Sequence, residues 1–353
     1  MKKYQSLCRI CHYSKGIMFH ENNLLFLVLS KSHTIQHFSK RKGFFMSKVI
    51  VTGGAGFIGS HVVDILLENH HEVLVLDNLS SGNQKNLNPK AKFIKMDICS
   101  EQIDTIFNEF RPDFVAHLAA QIDVRKSVTD PIFDATVNIL GGINLLNSAV
   151  KYGIKKFIFS STGGAIYGES EVLPVPETYL PKPMSPYGTS KLAFEHYLGL
   201  YQRLHGLNYL ILRLPNVYGP RQSPEGEAGV CSILTGLMLK GKKPVLYGYG
   251  TPQRDYVFVK DIARAFLLGL EKGVNETVNL GSAKGTTVRE IFDIIANTVG
   301  YNEEPELAPL RPGEVQTIYI TGEKAKKMLG WQPETSLKEG LKQTVDFIKG
   351  NSL

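Results

Sequence analysis

The run "KVIVTGGAGFIGSHVV", Lys48 to Val63, restricts this chain more than any other stretch. A β-branched segment ends at Thr52, Gly53, Gly54, Gly56 and Gly59 follow, and an amphipathic segment continues directly. A strand that passes through such a turn straight into a helix opens a doubly wound α/β fold. Gly54, Gly56 and Gly59 fit G-x-G-x-x-G, and Gly53 allows a second reading as G-x-x-G-x-x-G. Residues without side chains let the backbone turn tightly and approach a pyrophosphate, whose charge rests on the helix N-terminus. The pattern alone is weak, because an incidental strand–turn–helix carries glycines too. Its context strengthens it: the next apolar run, "EVLVLD", ends in Asp77. An acid there suits the two ribose hydroxyls of NAD and repels the 2′-phosphate of NADP. Asp97, closing "KFIKMD", is placed either to reach the adenine amine or to cap the following turn.

The same texture continues downstream. "DFVAHLAA", "KKFIFSS" and "NYLILRLP" are short apolar runs separated by longer amphipathic ones, which reads as βαβ units in a parallel sheet covered on both faces. Ile132 to Tyr152 and Tyr187 to Leu204 each read as one helix. After about Gly219 the chain turns to Gly- and Pro-rich loops, shorter strands and helices at Val288–Val299, Glu323–Leu329 and Ser336–Lys349. The expected architecture is an α/β doubly wound parallel (Rossmann) sheet over residues 46–218. A smaller C-terminal substrate-binding α/β lobe spans 219–353, with part of 254–272 returning to the first domain.

Charge excludes one class of partner. The net charge of +7 resides in residues 1–45, which hold eight Lys/Arg and one acid, while the rest balances 32 basic against 32 acidic residues. The main body is therefore not expected to bind nucleic acid. In the first segment "CRICH" has the C-x-x-C-H spacing of haem attachment, but no haem-binding context follows and the spacing reads as coincidence. "LLFLVL" is too short to span a membrane. Met46 immediately precedes the first strand, and Arg41-Lys42-Gly43 can be encoded by a purine-rich, ribosome-binding run. Residues 1–45 are thus expected to be a non-native or disordered extension absent from the mature protein, which intact mass of natively expressed material tests. Cysteines stand only at 8, 11, 99 and 231, so a reduced, cytoplasmic enzyme with no metal site is expected.

The chemical signal lies in "SSTGGAIYG" and "SPYGTSK". Tyr187 and Lys191 are an i, i+4 pair that a helix presents on one face. A phenol with its ordinary pKa of about 10 is a poor base at neutral pH, and a neighbouring ammonium and a positive nicotinamide ring both favour the phenolate. The spacing alone occurs by chance in many helices; the dinucleotide turn and the Ser160–Thr162 strand end give it weight.

With these motifs in order, the chain resembles the extended short-chain dehydrogenase/reductases, within the sugar-nucleotide epimerase/dehydratase group. The resemblance runs through "TGGAGFIGS", "DNLSSG", "HLAA", "SSTGGAIYG", "YGTSK", "RLPNVYGPRQ", "QRDYVFVKD" and "RPGE", nearly everything from Met46 onward. It implies that Tyr187 is the base, that Lys191 is its electrostatic partner and holds the nicotinamide ribose, and that Thr162 bonds the sugar hydroxyl, with Ser161 as its rival. For the cofactor it implies Gly53, Gly56, Phe57, Ile58, Gly59, Asp77, Asn78, Asp97, Ile98, Leu118, Ala119, Ala120 and Asn138, besides Tyr187 and Lys191. For the substrate it implies Ser127, Asn216, Arg254, Arg311 and Glu314, the arginines clamping a diphosphate. Without the family, surface ion pairs are the plainer reading of Arg254 and Arg311. A homodimer paired through the helices around 132–152 and 187–204 is also implied.

The group contains epimerases and dehydratases, and one absence separates them. Dehydratases of this kind carry an acid just after the Ser/Thr cluster to take the carbon-5 proton and expel water. Here those positions are Gly163, Gly164 and Ala165. Oxidation and re-reduction at carbon 4 remain, so the resemblance implies epimerisation of a UDP-sugar with tightly bound NAD, the glycines leaving space for the sugar to turn over. UDP-glucose/UDP-galactose leads, with UDP-N-acetylglucosamine or UDP-glucuronate as alternatives. Counting from Arg311 places Ile318, beside Tyr319, where many epimerases narrow the pocket with an aromatic. A keto-sugar reductase would consume NADPH, which Asp77 disfavours, and an NAD-sensing module would not need Tyr187 and Lys191 together.

Overall fold

The computed structural model describes residues 46–224, 229–311 and 315–351. The expectations for residues 1–45 and for Glu314 fall outside them. Lys48–Thr52 (β1), Glu72–Asp77 (β2), Lys92–Lys95 (β3), Phe114–His117 (β4), Lys156–Thr162 (β5) and Tyr209–Leu214 (β6) join Glu276–Asn279 in one sheet. Every pairing is parallel, in the order Glu276–Asn279, β6, β5, β4, β1, β2, β3. The order reverses between β1 and β4, and in sheets of this kind ligands occupy the crevice beyond the strand C-termini at that point.

Alternation along β1 explains why both faces are covered. Val49 and Val51 pack with Val62, Val63 and Leu66 on one side, while Ile50 packs with Leu74, Phe107 and Phe194 on the other. Helix Phe57–Glu68 lies on the first face against helix Val259–Glu271, whose Ile262, Ala263 and Phe266 share that core. Lys156, buried on β5, donates from Nζ to the carbonyls of Gly269 at 2.7 Å, Leu270 at 3.3 Å and Lys272 at 2.8 Å, and so closes that helix's C-terminal end. A third core, around Cys231, Phe258, Phe292 and Leu341, joins the helices Val230–Leu239, Val288–Val299 and Leu337–Asn351.

The long segment expected as one helix is divided. It runs as Pro131–Ala135, a π turn at Thr136–Gly141 and a second helix, Gly142–Lys151. Gly141 and Gly142 let the turn pass against Ile98 and Phe194, to which an added Cβ would come within 2.8 and 2.3 Å. The second helix, Pro186–His205, is continuous, capped by Ser185 Oγ on Gly188 N at 3.2 Å and stopped by Gly206 at φ 69°. Among the described residues no helix is long and apolar enough to cross a membrane, and no His/Cys/Asp/Glu cluster could hold a metal.

Candidate active site

The glycine turn is shaped by contacts as well as by freedom. Gly53 has φ 71°, and a Cβ there would meet Ala119 N at 2.7 Å, so the turns after β1 and β4 touch backbone to backbone. A Cβ on Gly59 would stand 2.1 Å from Gly53 O, which locks the helix start onto the turn. Gly56 caps helix Phe57–Glu68 without any side-chain bond, and beyond Gly53 O its missing Cβ leaves open space. Ile58 packs partly buried against the first core, with Phe57 beside it at the helix start. This is a cradle for an anion at a helix N-terminus, and it fits a dinucleotide pyrophosphate.

Asp77 is buried at the end of β2, where Oδ2 accepts Ala55 N at 2.9 Å and Oδ1 accepts Leu79 N at 2.8 Å. The carboxylate thus fixes the glycine turn, and its place at the strand end fits a ribose diol. Asn78 donates from Nδ2 to Asp97 Oδ2 at 2.9 Å, and Asp97 Oδ1 accepts Cys99 N at 2.8 Å. Ile98 is buried, with its carbonyl held by Asn144 Nδ2 at 2.8 Å.

Beyond β4 the chain is held by a hydroxyl. Thr52 Oγ1 accepts the amides of Leu118 and Ala119, both at 3.2 Å, and contacts His117 Nδ1 at 2.7 Å. With its lone pairs occupied, the Thr52 hydroxyl donates to an imidazole that must be neutral. Burial, reinforced by the charge of Lys191, keeps His117 in that form with a pKa of about 3. Ala120 continues to Gln121, whose backbone is gripped by Asn138: Oδ1 accepts Gln121 N at 2.9 Å and Nδ2 donates to Gln121 O at 3.0 Å. Asn138 lies within the π turn, so the irregular helix aims a side chain that shapes the loop beside the crevice.

Tyr187 and Lys191 come together on helix Pro186–His205, with Lys191 Nζ 5.9 Å from the Tyr187 ring centroid. Lys191 Nζ donates to Ser160 O at 3.0 Å and lies over the Phe159 ring, so β5 and the helix meet at the ammonium. Burial lowers its pKa to about 8, against the opposing pull of Asp134 and Glu195. The phenol differs from the sequence expectation. Burial pushes the Tyr187 pKa up and the charge of Asp134 adds to the rise, so the polypeptide alone does not favour phenolate. Further positive charge must come from what binds beside it.

The two hydroxyls at the end of β5 have different surroundings. Ser161 is buried and donates to Glu195 Oε1 at 2.5 Å. Thr162 is half-buried and accepts Ala165 N at 3.2 Å, which leaves its own proton to give. The glycines that follow do not both leave space for a ligand. A Cβ on Gly163 would come within 2.5 Å of Ile320 Cδ1, so the protein already fills that volume, while a Cβ on Gly164 would meet only Asn216 Oδ1, at an ordinary 3.6 Å. Behind the strand end, Glu195 forms a two-point ion pair with Arg213, Oε2 to Nη2 at 2.6 Å and Oε1 to Nε at 3.0 Å. Sequence reasoning missed this pair, since nothing in the spacing of 195 and 213 marks it.

The substrate positions are more dispersed. Ser127 is fully buried and bonds Val124 O of its own helix turn at 2.6 Å. Asn216 is exposed, with its amide on Asp255 O at 2.9 Å. Arg254 lies on a strand between Thr286–Thr287 and Thr317–Ile318, its Nη1 on Gln253 O at 2.9 Å. The Arg311 guanidinium stacks over Tyr247 at 3.7 Å. Ile318 is buried against Ile166, Tyr167 and Val175.

A dinucleotide cradle, an acid on β2 and a Tyr/Lys pair beside a strand-end hydroxyl define an NAD-using α/β enzyme of the short-chain dehydrogenase/reductase type. The chain belongs to the NAD dependent epimerase/dehydratase family, whose model matches residues 49–281. It is 49% identical over 304 residues to a putative UDP-glucose 4-epimerase of Methanocaldococcus jannaschii, covering 86% of this chain and 99% of that protein. Among solved structures, UDP-glucose 4-epimerase of Thermotoga maritima with UDP-glucose superposes with TM-score 0.85 at 51% identity, over 87% of this chain and 100% of that one. The Thermus thermophilus UDP-glucose 4-epimerase complex with NAD gives TM-score 0.80 at 45% identity, over 86% and 99%.

Proposed function

We propose that this protein interconverts UDP-glucose and UDP-galactose by epimerisation at carbon 4. The observation that carries the reading is the Tyr187–Lys191 pair, tied through Lys191 Nζ on Ser160 O to a strand that ends in Thr162 and is followed by Gly163-Gly164-Ala165, hence by no acid for elimination. The relatives named above as UDP-glucose 4-epimerases support it.

When bound, NAD supplies the hydride acceptor and donor at carbon 4, and because it is regenerated each turnover it stays with the protein. Gly53, Gly56 and Gly59 admit its pyrophosphate at the start of helix Phe57–Glu68, flanked by Phe57 and Ile58. Asp77 would take the ribose diol; Asn78, Asp97 and Ile98 would border the adenine side, and Leu118, Ala119, Ala120 and Asn138 the approach to the nicotinamide. Tyr187 removes the 4-hydroxyl proton, with its phenolate favoured by the Lys191 ammonium and by the cofactor's positive charge. Thr162, rather than Ser161, donates its free proton to the same sugar oxygen. Asn216, Arg254, Arg311 and Glu314 hold the UDP portion, with Ser127 supporting the sugar end, so that the 4-keto sugar turns over without leaving. Tyr187 then returns the proton to the carbon-4 oxygen, and inversion would follow because the turned sugar presents its other face to the hydride of the reduced cofactor.

Residues 46–218, joined by helix Val259–Glu271 and strand Glu276–Asn279, form the cofactor part, and the rest of 219–353 forms most of the substrate part. A second copy pairing through the helices around 132–152 and 187–204 would cover Ile132, Leu140 and Leu204, which are 79, 59 and 65% exposed. The free thiols of Cys99 and Cys231 suit the cytoplasm. The test is purified protein with UDP-galactose and no added NAD, followed by NMR of the anomeric protons. UDP-glucose at turnover rates supports both the reaction and resident NAD. Turnover only of UDP-N-acetylglucosamine or UDP-glucuronate in parallel tubes replaces the substrate, and no turnover of any refutes the reading.

A further inference from the structure

Asp134 belongs to no motif quoted above, yet it is the junction of three elements around the Tyr/Lys pair. It lies on the short helix Pro131–Ala135 and is fully buried. Its Oδ1 accepts Gln121 Nε2 and Asn138 Nδ2, both at 3.0 Å, and its Oδ2 accepts Ser190 Oγ at 2.6 Å. Gln121 belongs to the loop after β4, Asn138 to the π turn, and Ser190 to the helix of Tyr187 and Lys191, directly before the lysine. One carboxylate therefore fixes the helix of the reacting pair to the wall of the cofactor crevice.

Geometry alone does not call for an ion there. All three partners are neutral, and an amide could accept from Gln121 and Asn138 while donating to Ser190. A buried carboxylate held only by neutral donors is costly to desolvate, so its charge needs a use. The groups facing Lys191 supply one. From its own helix come Tyr187 and Glu195, and from β4 the neutral His117; Glu195 is itself paired at two points with Arg213 of β6, which offsets much of its charge. Asp134 is the remaining anion of this set, and it favours the charged ammonium against burial.

We propose that Asp134 is a positioning residue that holds the Tyr187–Lys191 helix against the loop after β4 and keeps Lys191 protonated, so that it sets the alkaline limit of the reaction. This rests on the epimerase reading for its kinetic arm only. Electrostatically Asp134 has two opposite effects: it holds the proton on Lys191, and it disfavours the phenolate of Tyr187. The first dominates where Lys191 would otherwise lose its proton.

Asp134→Asn tests this in the full chain with its resident cofactor. The alkaline limb of the kcat–pH profile moves down by about one unit, the size expected for loss of one nearby charge. Activity at pH 9 then falls about tenfold, while KM for UDP-galactose stays within about twofold. Ser190→Ala removes one bond and no charge, and leaves the limb in place. A readout independent of turnover is the pH titration of Lys191 followed by NMR of ε-13C-lysine, with Lys191→Met identifying the signal. Lys191 of the unmodified protein is protonated at pH 7 and titrates lower in Asp134→Asn. A uniform loss of kcat at every pH, or an unmoved lysine titration, overturns the proposal. If Asp134→Asn does not fold, a Lys191 already neutral at pH 7 in the unmodified protein overturns it equally. A protein inactive on every UDP-sugar refutes the epimerase reading, and the lysine titration still decides the role of Asp134.

Discussion

Replacing Glu195 with Leu strips the acceptors from a guanidinium that cannot reach water. The Glu195 and Arg213 side chains are only 6 and 7% exposed, and Arg213 Nε and Nη2 both point at that carboxylate. Its third contact, Nη1 to Tyr167 OH at 2.7 Å, survives, and that hydroxyl goes on to Asn279 Oδ1 at 2.8 Å. Losing one partner of a buried, hydrogen-bonded pair costs about 3–5 kcal/mol, because the other charge is left desolvated. Two charge-assisted bonds at about 1.5–3 kcal/mol each give about 3–6 kcal/mol, which brackets that figure. An exposed pair would lose only about 0–1 kcal/mol. Equilibrium urea unfolding at pH 7, followed by circular dichroism, measures the difference. The double variant Glu195→Leu with Arg213→Met removes the stranded charge and regains most of the loss. A single-variant loss below about 1 kcal/mol, or a double variant worse than the sum of the singles, would refute the reasoning.

Three other outcomes are expected. Tyr187→Phe lowers kcat by about 10²–10⁴ while the NAD released on denaturation stays stoichiometric, because the phenol moves a proton and does not carry the cofactor alone. Thr162→Ala lowers kcat with little change in unfolding midpoint, whereas Ser161→Ala, which takes a donor from Glu195, lowers the midpoint first; comparing kcat and denaturation for both separates the hydroxyls. Asp255, buried beneath the amides of Ser282 and Ile320, has its carboxyl raised by burial to about 6, above its ordinary value. The folded state then holds the proton more tightly, so this stabilisation is fully present below pH 4, roughly, and lost as the pH rises through about 6. Asp255→Asn removes that slope, and urea midpoints at pH 4.5 and 7 for both proteins reveal it as a difference.

Signals that depend on neighbours in sequence were legible. The β1 turn, Asp77 at the end of β2, and the helices Val288–Val299 and Glu323–Leu329 follow from short-range chemistry and lie where expected. Ionic partners far apart in the chain were not. Nothing local distinguishes Asp134 from a solvated helix acid, or joins Glu195 to Arg213. The π turn was hidden because Ile132 to Tyr152 keeps an apolar period compatible with one straight helix. Strand Glu276–Asn279 was missed because "ETVN" is too short and too polar to announce itself. The Tyr187 phenol showed most clearly how local reasoning stops: the i, i+4 lysine suggests acidity, yet burial outweighs it.

That last strand has a consequence for how the protein is made. Glu276–Asn279 pairs with β6 only after some sixty residues of intervening chain have been built, and helix Val259–Glu271, closed by Lys156 of β5, arrives just before it. A nascent chain that has emerged only as far as residue 218 therefore has an open β6 edge and a Lys156 ammonium with none of these carbonyls to bind. Such edges recruit other chains. Synthesis from the N-terminus cannot complete the cofactor sheet first and add the rest later. The first half waits for the second, and a ribosome stalled between them displays a surface that chaperones, or aggregation, must cover.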